Sequence, residues 1–308
     1  MEKIKPWIEA VRLHTLPISI SGVFAGISCA LISGKFAFTP ALLCLLFAIT
    51  AQITANLAND YFDFKNGIDD KDRDGFKRVL TVGEIKPNEM KIGTIMSFIL
   101  TSIIGCCLLF FGKWWMLPVG IIIVIFALAY SAGPYPLSHH GLGDIAVLIF
   151  FGIVPVTLTC YLLNGNWSNL YLSFPTSIAS GLLAVNVLIV NNYRDVESDA
   201  KNNKRTTAVI FGREKLGIAY LASGIIAMLL LFPIWRIFSY YGLIIPIIYI
   251  FLHVNTWKTL IHNEGPVLNG VLQKTAMNMI IFTILLKTFI TFKIGYSPCL
   301  YITTFTFL

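Results

Sequence analysis

Residues 56–74 read NLANDYFDFKNGIDDKDRD and carry six aspartates, Asp60, Asp63, Asp69, Asp70, Asp72 and Asp74, of the 16 acids in the chain. The rest of the chain is opposite in character. Of 308 residues 56% are hydrophobic and only 13% charged, and the mean hydropathy is +0.75. Soluble domains carry about a quarter charged residues, so this composition predicts an all-α polytopic protein that has a lipid bilayer as its solvent. An acid-dense segment directly after an apolar run is costly at a membrane interface unless something cationic neutralises it.

Working outward, nine apolar runs approach the roughly 20 residues that a bilayer-crossing helix needs. They lie near 15–34, 38–59, 91–112, 114–131, 144–164, 172–192, 215–234, 237–255 and 274–294. They predict nine transmembrane helices in a single bundle and a single domain over 1–308. Gly112-Lys113-Trp114 alone separates the third run from the fourth, and Trp235-Arg236 the seventh from the eighth, so both pairs are expected to form tight hairpins. With a cytoplasmic N-terminus, most of the 23 Lys and Arg fall in inner segments, as the positive-inside rule requires, and so do all 16 acids. The net charge of +7 therefore reads as membrane orientation and not as a nucleic-acid surface. The start, MEKIKPWIEAVRLHT, is polar and amphipathic and reads neither as a cleavable signal peptide nor as a transit peptide. The expected location is a bacterial cytoplasmic membrane. The six cysteines sit in or beside apolar runs without a CxxC pair, the pattern of small buried hydrophobes rather than of a disulfide framework or zinc site.

Two acidic motifs stand out. Asn56, Asp60 and Asp63 follow the second run at spacings of four and three, and Asn191, Asp195 and Asp199 follow the sixth at four and four. Such spacings share one helix face, and both motifs follow an even-numbered crossing, so both sit on the same side. Carboxylates with amide oxygens are hard ligands suited to Mg²⁺, which takes one or two carboxylates and completes its shell with water and phosphate oxygens. Lys65, Arg73, Lys77 and Arg78 follow the first motif, and Arg194, Lys204 and Arg205 accompany the second; guanidinium and ammonium groups bind phosphate directly. A diphosphate held at the mouth of an apolar bundle implies a substrate with a long apolar tail, and a polyprenyl diphosphate fits. Metal and cations would stabilise the departing diphosphate, leaving an allylic cation that aromatic faces can stabilise. Tyr61, Phe62, Tyr130, Tyr135 and Tyr193 are candidates, with Tyr61 and Tyr135 assigned to the reacting centre.

These motifs resemble the UbiA superfamily of intramembrane aromatic prenyltransferases along nearly the whole chain. The family pattern N-x₃-D-x₂₋₃-D is matched by Asn56/Asp60/Asp63, and D-x₃-D by Asp195/Asp199, preceded by Asn191. Within the superfamily the 1,4-dihydroxy-2-naphthoate polyprenyltransferases are most similar. The likeness rests on RLHTLP at 12–17, NDYFDFKNGID at 59–69, YSAGPYPLSHHGLGD at 130–144 and NNYRDVESDAKNNKRTTAVIFG at 191–212. Hydroxybenzoate prenyltransferases tend to carry Tyr-Pro-x-x-Lys-Arg in the third stretch, where this chain has Tyr135-Pro136-Leu137-Ser138-His139-His140 running into Gly141-Leu142-Gly143-Asp144. Departures fall at Gly75-Phe76-Lys77-Arg78 and Asn203-Lys204-Arg205-Thr206, both of which keep a basic residue. The resemblance implies Mg²⁺ bridging the diphosphate to both motifs, and attack of the naphthoate ring on the allylic cation. Loss of CO₂ would then give demethylmenaquinol, a step of menaquinone synthesis. The anionic acceptor calls for a cationic or hydrogen-bonding neighbour, for which Arg12, His14, His139 and His140 are candidates; His140 is the one assigned. Other acceptors, namely 4-hydroxybenzoate, homogentisate or a porphyrin, are the nearest alternatives. A cation transporter or a non-catalytic scaffold of the quinone pathway are alternatives of other classes; the one-sided acids, with no mid-membrane carboxylate relay, argue against the transporter.

Overall fold

The computed structural model describes residues 4–67, 75–237 and 239–296. Arg73 and Asp69, Asp70, Asp72 and Asp74 lie outside the described residues. Every regular element among those described is helical. The helices are α1 (Lys5–Val11), α2 (Leu16–Ile32), α3 (Phe38–Lys65), α4 (Pro87–Gly112), α5 (Met116–Ser131), α6 (Gly143–Val147), α7 (Val154–Asn164), α8 (Leu170–Lys201), α9 (Thr207–Leu230), α10 (Phe232–Ile237), α11 (Ile244–Ile261) and α12 (Leu268–Tyr296). A π-helical segment, Leu148–Ile153, joins α6 to α7 so that Gly143–Asn164 runs as one rod.

Seven stretches are long and apolar enough to cross a membrane: Lys5–Ile32, Phe38–Lys65, Pro87–Gly112, Gly143–Asn164, Leu170–Lys201, Tyr241–Ile261 and Gly265–Thr291. Two further apolar runs fall on helices of a different kind. Met116–Ser131 is apolar but only 16 residues long. Thr207–Leu230 carries Arg213, Glu214 and Lys215 just past a break at Gly212, whose φ of 81° only glycine adopts readily. The hairpin expected at Trp235-Arg236 is not what forms. Helix α10 and a 3₁₀ turn at Ser239–Leu243 occupy the connection, and α11 begins later than its apolar run.

The largest departure from the apolar runs is at the two motif-bearing helices. Apolarity stops near residues 59 and 192, yet α3 continues to Lys65 and α8 to Lys201. At 1.5 Å per residue these helices, of 28 and 32 residues, are about 42 and 48 Å long. Either exceeds the roughly 30 Å of hydrocarbon. Hydropathy marks where lipid ends and says nothing about where the helix ends, so both motifs ride on rigid helical extensions.

The bundle has a packed half and an open half. Helices α8, α9, α11 and α12 build the main core, with Leu183, Tyr220, Leu260, Met279 and Leu286 fully buried, and α2 packs against α8 and α12. Helix α8 is mostly buried along its span, whereas little of α4 is buried. A close backbone-to-backbone crossing joins Gly152 and Gly181, where a Cβ on Gly152 would stand 2.4 Å from the Gly181 Cα. Small residues let helix backbones approach this closely inside a membrane. On the other side, α2 to α7 surround a large cavity.

Candidate active site

The cavity has a volume of about 640 Å³ and two chemically distinct ends. Val23, Cys44, Phe47, Leu108, Met116 and Leu162 line its apolar arm between α2, α3, α4, α5 and α7. Arg12, Asn56, Arg78, Asn191, Arg194 and Lys204 line its polar end. Asn56 and Asn191, the first residue of each motif, thus line one cavity, although they are 135 positions apart in the chain.

Asp60 and Asp63 are buried on the last turns of α3. Asp60 is gripped by two guanidinium groups, Arg12 from the α1–α2 junction and Arg78 from the loop after the motif. Arg78 also stands 3.6 Å from Asp63. Arg12 reaches this position because its backbone is left-handed (φ 55°, ψ 60°), ending α1 and turning the chain toward α2. A non-glycine residue in that region carries a cost of about 1 kcal/mol or more and is over-represented at functional sites. Asn56 is held by its amide, which donates to the Val11 carbonyl and the Thr15 hydroxyl, while its Oδ1 accepts from Gln52.

The second motif is organised locally. Arg194 forks onto its neighbour Asp195, with Nε to Oδ1 at 2.7 Å and Nη2 to Oδ2 at 2.8 Å. The same guanidinium donates to Asn191 and to Asn269 of α12. Asp199 accepts from the Thr206 hydroxyl, and Lys204 Nζ lies 3.8 Å from it. Asn203, left-handed at φ 54°, makes the turn that returns Lys204 to Asp199, and its residue type suits that conformation. Phe76 joins the two sides, stacking on His14 at 3.8 Å and lying under the Arg194 guanidinium at 5.7 Å.

The adjacent histidines part company. His139 points inward, its Nε2 3.7 Å from Asp63 Oδ1, and its carbonyl accepts from the Arg205 amide. It therefore links the first motif to the loop that follows the second. His140, the residue assigned to the acceptor, stacks on Tyr135 at 3.5 Å, and its Nδ1 meets the Pro136 carbonyl. Neither His140 nor Tyr135 lines the cavity, and Tyr135 is exposed. Tyr61 packs against Phe62 and the small core around Leu57 and Met90, away from the cavity wall. Lys65 and Arg205 are exposed and also stand off the wall. Tyr130 does line it. Sequence reasoning missed Phe76, Thr206, Gln52 and Asn269; only Thr206, beside Lys204 and Arg205, carried a local signal.

The donor set fits a divalent cation. Asp63 Oδ1 is buried without a hydrogen-bond partner, as is the His139 Nε2 that faces it. Among the described residues no three His, Cys, Asp or Glu side chains converge at metal-binding distance. A cation here would take one or two carboxylates from a motif and fill its shell with amide, water and phosphate oxygens, the habit of Mg²⁺.

Residues 19–265 match the UbiA prenyltransferase family. The chain is 36% identical to the 1,4-dihydroxy-2-naphthoate octaprenyltransferase of Haemophilus influenzae over 70% of its own length and 71% of that protein's. It is 35% identical to the enzyme of the same name from Escherichia coli over 79% of its length and 80% of that protein's. In three dimensions it resembles a UbiA homologue from Archaeoglobus fulgidus bound to GPP and Mg²⁺, with a TM-score of 0.65 at 16% identity, covering 92% of this chain and 99% of that one. With one residue of each motif on an amphipathic cavity and the family match spanning most of its length, the chain belongs to the UbiA prenyltransferase family.

Proposed function

We propose that the protein transfers a polyprenyl group from polyprenyl diphosphate to 1,4-dihydroxy-2-naphthoate with decarboxylation, giving demethylmenaquinol in menaquinone synthesis. The observation that carries the prenyl-transfer chemistry is the cavity itself: cations and amides from both motifs at one end, and an apolar arm of matching direction at the other. The names of its relatives support the naphthoate acceptor. In this reading the domain spans 1–308, nine helices cross the membrane with the N-terminus inside, and the polar end opens to the cytoplasm.

Mg²⁺, when bound, supplies charge neutralisation for the leaving diphosphate. Asp60, Asp63, Asp195 and Asp199 would hold it with help from Asn56 and Asn191, each of whose Oδ1 already accepts one hydrogen bond and keeps a second lone pair. Arg12, Arg78 and Lys204 each stand beside a motif carboxylate, placed to share themselves with phosphate oxygens. Arg194 commits four hydrogen bonds within the protein and orients Asp195. The apolar arm excludes water from the allylic cation, and Phe76, Tyr130 and Phe151 present aromatic surface to the cavity.

The test is product formation by membranes containing the protein, supplied with Mg²⁺, a polyprenyl diphosphate, and either 1,4-dihydroxy-2-naphthoate or 4-hydroxybenzoate. Prenylated, decarboxylated naphthoquinol is the expected product. Product only with 4-hydroxybenzoate would retain the clamp and replace the acceptor.

A further inference from the structure

We propose that Asp144 receives the ring hydroxyl of the aromatic acceptor, a role that rests on the prenyl-transfer reading above. Asp144 lines the cavity and is the one carboxylate on its wall among the described residues, each of the four motif aspartates standing off the wall beside a basic side chain. Its Oδ1 is buried and has no hydrogen-bond partner. The Thr207 side chain lies beside the carboxylate. The Tyr130 phenol abuts the same turn, 3.7 Å from where a Cβ on Gly143 would stand, and lies within electrostatic range of Asp144, Asp63 and Asp199. Asp144 therefore sits at the polar end between the two motifs. An acid in the first turn of a helix also favours the helix dipole, but that role needs neither access to the cavity nor an unpartnered oxygen.

The chemistry asks for such a group. Every other charged group on the wall, Arg12, Arg78, Arg194 and Lys204, is a cation, a donor rather than an acceptor of hydrogen bonds. As the ring carbon bonds to the allylic carbon, the donor's C–O electron pair leaves on the diphosphate. The acceptor's O–H proton passes to Asp144, and its bonding pair closes a ring carbonyl. Loss of CO₂ returns the C–C pair to the ring. The proton returns from Asp144 to the ring oxygen, so the carboxylate ends as it began. His140 is excluded from this role by its stack on Tyr135 and its position off the wall.

The experiment compares purified wild type with Asp144→Asn, using geranyl diphosphate and Mg²⁺ as donor. The acceptors are 1,4-dihydroxy-2-naphthoate and its analogue lacking the 1-hydroxyl. Donor affinity is expected to stay within about twofold, while kcat/KM for the acceptor falls about 100-fold, the scale of a lost general base. Wild type should bind the hydroxyl-bearing acceptor more tightly than the analogue, and Asp144→Asn should lose that preference. Acceptor kinetics within twofold of wild type, or donor affinity falling as far as acceptor turnover, would overturn the role of Asp144 while leaving prenyl transfer intact. Wild type that does not bind geranyl diphosphate would remove both readings. If Asp144→Asn does not fold, Asp144→Thr takes its place with the same outcomes.

Discussion

The two aspartate motifs occupy matching places at the ends of α3 and α8, and they are held in opposite ways. Asp60 depends on Arg12 and Arg78, residues 48 and 18 positions away on separate elements. Asp195 depends on its immediate neighbour Arg194, and Asp199 on a turn five to seven residues further on. The first half of the proposed clamp is thus assembled by tertiary structure and the second by its own helix and loop. The surroundings follow the same division. The first motif lies on α3 beside thinly covered α4, while the second rises from the packed core of α8, α9 and α12. The second half, held by its own helix and loop on a packed core, is the more rigid of the two.

The largest effects should not distinguish the halves. Asp60→Ala and Asp195→Ala are each expected to lower prenyl transfer by about 10³-fold or more, the scale of losing a charge-stabilising group. A tenfold difference between them, measured as product formed, would mean the halves share the diphosphate unequally. The contrast should appear next, in the arginines. Arg194 is buried with four hydrogen bonds, so Arg194→Ala strands Asp195 and is expected to cost about 3–5 kcal/mol of stability. Arg12 is partly exposed and shares Asp60 with Arg78, so Arg12→Ala should shift Tm much less while lowering turnover about 100-fold. Equal Tm shifts in the two variants would break the comparison.

A smaller effect tests the bridge between the halves. His139→Ala is expected to reduce turnover about tenfold, a hydrogen-bond-sized loss, and His140→Ala to change it less than twofold. The reverse order would return the acceptor to His140. Smallest of all, Arg213 pairs with exposed Glu197 and Glu264 beside the second motif. Arg213→Ala should cost no more than about 1 kcal/mol, as solvent-exposed ion pairs do; a larger Tm loss would show that this surface also braces the rigid half.

The sequence carried the parts of this site that follow a period. Spacings of three and four placed Asn56, Asp60 and Asp63 on one face and Asn191, Asp195 and Asp199 on another, and both faces meet the cavity region. Arg12, Arg78 and Lys204 were legible as cations close in sequence to an acidic or family motif. What was illegible lay outside helical periodicity. His139 and His140 occupy a 3₁₀ turn and its end, where no repeating face says which side chain points inward. Arg12 works through a left-handed backbone that its residue type does not announce. Phe76 and Asn269 act through contacts across the bundle that neither local spacing nor charge reveals. The helix ends were misplaced because hydropathy reports lipid contact, and α3 and α8 leave the lipid before they unwind.

The central claim is that the two motifs form one clamp around one diphosphate. Titration calorimetry of geranyl diphosphate, with and without Mg²⁺, tests it most directly on wild type, Asp60→Ala, Asp195→Ala and the double variant. A shared clamp predicts Mg²⁺-dependent binding, a near-complete loss of affinity in either single variant, and little further loss in the double. Binding that ignores Mg²⁺, or two modest losses that simply add, would contradict it.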